Sequence, residues 1–165
     1  MFADEESKDQ DNFEYYGLDI PISLNQNLKA YINIDKIKSF ILNERYTPID
    51  TPLYNFRIGA ESVENPSQEF TFYSKISINH NLGIKHEPIL ILKSFGDIQI
   101  VIDGNTRVSN AILNQKNATI SAFVLSIPDL LLHELYLNDY SKVLLEYRLE
   151  FFRIYEKTYG ISAIY

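Results

Sequence analysis

Between residues 89 and 126 the sequence changes from strand-like to helix-like spacing of its apolar residues and back again. Three short apolar runs are typical of strands, at Ile89–Leu92, Ile98–Ile102 and 119–126. The turn residues of Ser94–Asp97 join the first two and predict a hairpin. Val108, Ala111 and Ile112 then recur at helical spacing before the third run. This mixture predicts an α+β fold, a small mixed β-sheet with helices packed against it.

The residues before this region extend the same pattern. Alternation of apolar and polar residues predicts two more strands, at 20–24 and 30–34. A short helix over 35–42 is expected next, with Asp35 as its N-cap. Pro48 and Pro52 then predict a loop, and residues 54–79 show only weak alternation.

The length of 165 residues fits one domain. We expect an α+β domain over residues 16–127, preceded by an acidic, disordered tail over 1–15. A helical extension of the same domain is expected over 128–165. Residues 1–12 carry five acids and one base, which is typical of a solubilising end. The alternative is an acidic arm that folds over a basic cleft.

The composition excludes several classes of function. With 22 acidic and 15 basic residues the net charge is −7, whereas a protein that wraps nucleic acid needs a basic surface. The chain has no cysteine, which excludes disulfides, thiolate metal sites and thiol catalysis. Three histidines are too few for a histidine-rich metal site. No apolar run is long enough to span a membrane, so we expect a cytoplasmic protein.

The C-terminal segment has a helical period and two apolar stripes. The first stripe consists of Tyr140, Leu144, Tyr147, Phe151 and Ile154, and the second of Leu145, Leu149 and Phe152. Gly160 is expected to end the helix. Because one stripe is enough to dock a helix, two predict burial on both sides. Either the helix is deeply packed in its own domain, or a second copy covers it and the 139–158 helix forms a homodimer.

The most informative motif is the strand–turn–helix sequence Ile102–Arg107. Gly104 permits a tight turn and a close approach of a ligand to the backbone. The helix that follows presents free N–H groups and the positive end of its dipole. Arg107 adds a planar cation suited to phosphate, and Thr106 and Ser109 add hydroxyl donors. Together these features predict an anion site of the kind that holds a nucleotide phosphate.

Asp103 is the unexpected member of this motif, because a carboxylate repels a phosphate unless a cation lies between them. It could hold Mg²⁺, orient Arg107 or act on a substrate hydroxyl. The alternative is a purely structural turn, in which Asp103 caps the helix and pairs with Arg107.

The motifs around this turn form an ordered series. The series is Gly83–Ile91, a hairpin, Ile102–Arg107, a helix and the strand Ile120–Leu125. With Tyr31–Ile37 as an opening strand, it resembles the ParB/sulfiredoxin-like superfamily, which includes ParB-like nuclease and free-serine kinase relatives. The resemblance covers residues 28–127 and is strongest over 83–125, and the 43–80 region looks like an insertion.

The resemblance implies a motif loop over a nucleotide-binding cleft, in which members of the superfamily bind the phosphates of ATP or CTP. The residues implied for the phosphate loop are Gly104, Asn105, Thr106 and Arg107. The resemblance also implies Asp103 at the loop entrance, and His86 and Pro88 at the neighbouring edge of the cleft.

This chain also departs from the superfamily pattern. Thr106 stands where the common motif has histidine, and a hydroxyl cannot shuttle protons near neutral pH. The sulfiredoxin branch needs a cysteine in the loop. The chromosome-partitioning branch needs an arginine-rich loop and a downstream DNA-binding domain. The sequence therefore predicts neither of these two activities.

Two hypotheses follow for a bacterial protein of this type. The first is a nucleotide-binding enzyme that transfers or hydrolyses phosphate, with Mg²⁺ as cofactor and Asp103 or His86 handling protons or the metal. The alternative for His86 is a structural role as a surface or capping residue. The second hypothesis is a binding or regulatory module without catalysis that acts through the aromatic C-terminal helix. Thr106 favours the second hypothesis, and Asp103, Gly104 and Arg107 favour the first.

Overall fold

The computed structural model describes residues 13–59, 70–76, 87–95, 98–114 and 119–160. Eight strands and four helices form within these ranges, and the expectation of an α+β fold is confirmed. The strands are β1 (Tyr15–Ser23), β2 (Gln26–Asn33), β3 (Ile49–Pro52), β4 (Phe56–Ile58), β5 (Thr71–Tyr73), β6 (Ile89–Phe95), β7 (Ile98–Asp103) and β8 (Thr119–Ser126). The helices are α1 (Ile34–Asn43), α2 (Asn105–Asn114), α3 (Ile127–Leu132) and α4 (Asp139–Tyr159).

The strands form two sheets. β1 and β2 make an antiparallel pair, and the other six strands make a mixed sheet in the order β3-β8-β6-β7-β5-β4. β6 pairs antiparallel with β7, as the hairpin prediction required, and parallel with β8. Since α2 connects β7 to β8, its first residues follow directly from the end of β7.

The central strand β6 is buried on both faces, which explains its uninterrupted apolar run. Ile89 and Ile91 pack on one side, in a cluster that includes Val108 of α2. Leu90 and Leu92 pack on the other side, in the larger cluster. That cluster also receives side chains from β1, β2, α1, α3 and α4, so these elements all cover the second face of the sheet.

The strand and tail predictions need two corrections. The segment between Pro48 and Pro52 was expected to be a loop, but β3 lies there and pairs antiparallel with β8. Because β3 is an edge strand, the missing N–H of Pro52 does not interrupt the sheet. The tail was expected to extend through residue 15, but β1 begins at Tyr15 and the backbone N–H of Glu14 already bonds to Asp35.

The helix ends follow capping rules, with one correction. Asn33, rather than Asp35, is the N-cap of α1, and its side chain accepts from the backbone N–H of Lys36. Ser126 caps α3 as expected. Gly160 ends α4 in the left-handed conformation, with φ of 66°, which confirms that prediction.

Helix α4 buries most of its second stripe and exposes most of its first. Leu145 and Phe152, from the second predicted stripe, are buried. From the first stripe only Leu144 is buried; its other members, with Val143, are between 44% and 59% exposed. Of the two alternatives, deep packing on both sides within one domain is therefore wrong, because no described residues form a layer beyond α4.

The segment before α4 also holds the β1–β2 hairpin in place. β2 pairs with β1 along one edge, and its other edge bonds to the chain around the start of α4. Asn33 donates its N–H to the carbonyl of Leu135, and the backbone N–H of Tyr31 donates to the buried Ser141 hydroxyl at 2.9 Å. The hairpin is thus held to the rest of the domain by backbone hydrogen bonds as well as by its apolar face. Within the described ranges, no helix combines the length and the apolar character needed to cross a membrane.

Candidate functional site

The predicted bend lies between β7 and α2. Gly104 has a φ of +98°, which L side chains rarely adopt, and its carbonyl accepts from the N–H of Val108 at 3.0 Å to begin the helix. A Cβ on Gly104 would lie 2.6 Å from Cγ2 of Ile89 and 2.8 Å from Nη2 of Arg107. Both the backbone conformation and the close approach of these side chains therefore require glycine.

The guanidinium of Arg107 folds back over this bend. Its Nη2 lies 3.1 Å from Oδ2 of Asp103, and its Nη1 donates to the carbonyl of Glu87 at 3.1 Å. Nη1 also lies 3.5 Å from the exposed carboxylate of Glu87. The side chains of Arg107 and Asp103 are only 15% and 16% exposed, so solvent screens their pair less than a surface pair. This ion pair is the contact that the structural-turn alternative predicted.

A second cation, which sequence reasoning missed, reaches the same carboxylate. Nζ of Lys38 in α1 lies 3.3 Å from Oδ2 of Asp103 and 2.8 Å from Oε2 of Glu14. Burial acts to lower the pKa of Lys38, but its contacts with Glu14 and Asp103 outweigh burial and hold the pKa above the usual value of 10.5. No local sequence signal could have identified Lys38, because its role depends on where α1 lies relative to β7.

Two of the predicted phosphate ligands bond to a neighbouring segment of the chain. Oδ1 of Asn105 accepts from the backbone N–H of Ser74 at 2.8 Å, and Oγ of Ser109 accepts from that of Ile76 at 3.3 Å. Oγ of Ser109 also donates to the carbonyl of Asn105 at 2.9 Å. Asn105 and Ser109 thus hold residues 74–76 against the start of α2 and act as positioning residues for the bend.

The backbone N–H groups of Asn105, Thr106 and Arg107 precede the first helical hydrogen bond. No described residue accepts a hydrogen bond from these three groups or from the partly exposed hydroxyl of Thr106. The first turn of α2 therefore carries backbone donors, one hydroxyl and a guanidinium, groups that suit an anion.

The remaining predicted site residues lie before β6. Pro88 is half-buried immediately before the strand, next to Glu87, whose carbonyl contacts Arg107. The segment that contains Glu87 and Pro88 thus lies next to the bend. The role of Pro88 at the edge of a nucleotide cleft stays a prediction. His86 lies outside the described residues, so its catalytic role stays a prediction. Within the described ranges, no three histidine or acidic side chains are grouped in a way that could hold a metal ion.

Comparisons with known proteins give no relative. No family model matches the chain, and neither a curated protein nor a solved structure matches it significantly. The resemblance to the ParB/sulfiredoxin-like superfamily therefore stays a prediction.

Proposed function

We propose that this protein has a ParB/sulfiredoxin-like fold and binds the phosphate groups of a nucleoside triphosphate at the β7–α2 bend. The nucleotide would be ATP or CTP, accompanied by Mg²⁺. The donors would be the backbone N–H groups at the start of α2, the hydroxyl of Thr106 and the guanidinium of Arg107, with Gly104 permitting close approach. Pro88 would border the cleft.

The observation that carries this proposal is the position of two cations on one carboxylate oxygen. Lys38 and Arg107 both contact Oδ2 of Asp103, at 3.3 and 3.1 Å. When Arg107 turns toward a phosphate, Lys38 remains to neutralise Asp103. A carboxylate at the entrance of a phosphate site is then tolerated, because a cation lies beside it.

This arrangement also favours one of the three roles considered for Asp103. Both of its cation contacts involve Oδ2, so the role best supported for Asp103 is to hold Arg107 over the bend, from which a bound anion would have to displace it. Transfer or hydrolysis of phosphate would need Mg²⁺ or a proton acceptor in addition, for which Asp103 and His86 are the residues proposed. Binding is thus the primary proposal, and catalysis is its extension.

The test is calorimetric titration of the full chain with ATP, CTP and GTP, with and without Mg²⁺. We expect saturable binding of at least one nucleotide, weakened about 10-fold or more in Arg107→Ala because a charge-assisted contact is lost. Arg153→Ala is the matched control, since Arg153 also pairs with an acid on its own helix, at 3.4 Å, and should leave the affinity unchanged. Absence of binding by every nucleotide, or an equal effect of both variants, would overturn the proposal. Arg107→Lys shows whether the charge or the planar fork matters.

A second candidate function is a binding module that associates with a second copy of the chain through α4. The exposed stripe of this helix consists of Tyr140, Val143, Tyr147, Phe151 and Ile154. Their successive spacings of three, four, four and three residues place them along one helix face. An exposed apolar face of this length is typical of a contact surface.

Sedimentation velocity tests this second candidate. We expect wild type to dimerise with increasing concentration, whereas Val143→Glu and Ile154→Glu remain monomeric because each would bury an unpaired charge. Leu132→Glu places the same charge on an exposed apolar residue of α3 and should still dimerise. A wild-type chain that stays monomeric at high concentration contradicts this candidate. An equal loss of dimer formation in all three variants contradicts it too.

A further inference from the structure

A cavity of about 410 Å³ lies between the β1–β2 hairpin, the β5–β7 part of the large sheet and α4. Its volume is in the range of small-molecule sites. Leu18 and Ile20 of β1 and Ile100 of β7 supply buried apolar side chains to its lining. The cavity touches none of the side chains proposed to bind phosphate, so it is a separate feature of the fold.

Aromatic rings make up much of the cavity wall, and they come from three different elements. β1 contributes Tyr16, β5 contributes Phe72, and α4 contributes Tyr147, Phe151, Phe152 and Tyr155. Rings supplied by a hairpin, a sheet and a helix face the same space from different directions. A planar ring placed there can stack on one wall and meet another edge-on, the two arrangements that aromatic groups prefer.

The charged groups of the cavity are already engaged within the protein. The buried guanidinium of Arg148 donates to the carbonyl of Asp19 at 3.5 Å and to the hydroxyl of Ser94, and it lies over the Phe152 ring at 4.8 Å. The carboxylate of Asp19 is half exposed and pairs with Lys29 at 3.1 Å. A ligand anion would be attracted by Arg148 and repelled by Asp19, and a ligand cation the reverse, so the two groups offset each other. A charged ligand would still lose its hydration on entering this largely aromatic space, which favours a neutral one.

Polar atoms also border the cavity. Asn27 and Ser74, both exposed, contribute to the lining with Asp19. These groups can donate to or accept from a substituent on a ligand whose ring lies among the aromatic side chains.

We propose that this cavity is a binding site for a neutral planar aromatic molecule that carries a hydrogen-bonding substituent. The ring stacks among Tyr16, Phe72 and the α4 aromatics, and the substituent bonds to the polar groups of Asn27, Ser74 or Asp19. The site goes beyond the proposed phosphate function and does not depend on it.

Indole is a suitable probe, because it is neutral and planar and carries one N–H donor. In titrations of the full chain followed by protein NMR, we expect saturable binding with a Kd on the order of 1 mM, as is usual for fragments of this size. Tryptamine and indole-3-acetate add a positive and a negative charge to the same ring, and both should bind at least about 5-fold more weakly. Phenol should bind, and cyclohexanol, of similar size but not planar, should not.

Variants of α4 locate the site. Phe151 is half exposed, so Phe151→Ala should leave the fold intact and weaken indole binding about 5-fold or more, a loss of about 1 kcal/mol or more. Tyr140→Ala removes an equally exposed aromatic ring from the same helix outside the cavity, and it should change the Kd less than about 2-fold. Phe72→Leu tests the opposite wall. Because Phe72 does not belong to the exposed stripe of α4, this variant distinguishes a loss of binding in the cavity from an effect on dimer formation.

Three results would overturn the inference. The first is the absence of saturable binding of indole at concentrations up to its solubility limit. The second is tighter binding of either charged analogue than of indole. The third is an equal loss of indole affinity in Phe151→Ala and Tyr140→Ala, which would indicate general adsorption to the protein surface. The Arg107→Ala variant should bind indole with the wild-type Kd, because Arg107 does not line the cavity. The indole test can therefore succeed even where the phosphate proposal fails.

Discussion

Nη2 of Arg107 lies 3.1 Å from Oδ2 of Asp103, and this pair spans the glycine bend between β7 and α2. The contact makes Asp103 a direct competitor of any anion that Arg107 would bind. Lys38, 3.3 Å from the same oxygen, determines how costly that competition is. The charge balance of the site thus depends on α1 as well as on the motif itself.

Removal of the competing carboxylate should strengthen phosphate binding. We expect Asp103→Asn to lower the Kd for the bound nucleotide about 3- to 10-fold, because Arg107 is released and a negative charge is removed. Asp50→Asn changes the net charge equally at an exposed position of β3 and controls for long-range electrostatics. Calorimetric titration of both variants measures the effect. Weaker binding in Asp103→Asn would mean that the carboxylate itself contacts the ligand or its metal.

Substitution of the bend glycine should destabilise the protein. Gly104→Ala combines an unfavourable positive φ with a clash against Ile89, so we expect a loss of about 2–4 kcal/mol in the free energy of unfolding. Gly160→Ala is the matched control, because its φ is also positive but a Cβ there meets nothing within 4 Å. Urea denaturation measures both values. Equal losses in the two variants would show that the contact with Ile89 contributes nothing.

The hydroxyl of Ser141 should contribute measurably to stability. It is fully buried and accepts from the partly buried backbone N–H of Tyr31 at 2.9 Å, so Ser141→Ala leaves this donor without its partner. We expect a loss of about 1–3 kcal/mol by urea denaturation. Ser39→Ala removes an exposed hydroxyl from α1 and should change stability by less than about 0.5 kcal/mol. If Ser141→Ala is as stable as Ser39→Ala, water or another acceptor replaces the hydroxyl.

The stabilisation that Lys38 provides should be lost at alkaline pH. Because its pKa is raised in the folded state, protonated Lys38 stabilises the fold fully below pH 10.5, and this contribution is lost as the pH rises through the higher folded-state pKa. Lys38 is about half exposed, so we expect Lys38→Met to cost only about 0.5–1 kcal/mol at pH 7.

Urea denaturation of wild type and Lys38→Met from pH 7 to pH 11.5 measures this dependence. The difference between them should stay constant up to about pH 9.5 and shrink above pH 10.5. Lys157→Met, at an exposed position of α4, should show no such change. A difference that persists at the highest pH would rule out the charge of Lys38 as its source.

Much of the site's local structure follows from neighbouring residues in the sequence. The apolar runs of β6 and β7, the turn between them and the helical spacing after Gly104 predicted the strand–bend–helix order that the structure contains. Ser126 and Gly160 marked helix ends correctly, because capping depends on residues within one turn of the helix. The pairing of Asp103 with Arg107, four residues apart, was likewise within reach of local reasoning.

Other features could be predicted only in part. Arg148 lies three residues after Leu145 and four before Phe152, on the second stripe of α4, and this position was a signal of burial that the sequence prediction did not use. The N-cap of α1 was placed two residues late, because Asp35 and Asn33 are both capping residues and only the backbone conformation distinguishes them.

The sequence by itself determined the α+β class, the glycine bend and the buried strands, since these depend on periodicity and on backbone conformation within a few residues. Only the tertiary structure decided that Lys38 reaches Asp103, that Asn105 holds Ser74, and that rings from β1, β5 and α4 surround one cavity. Each of these contacts joins residues far apart in the chain. Their formation depends on how whole elements pack, and the pattern of a single segment does not contain that information.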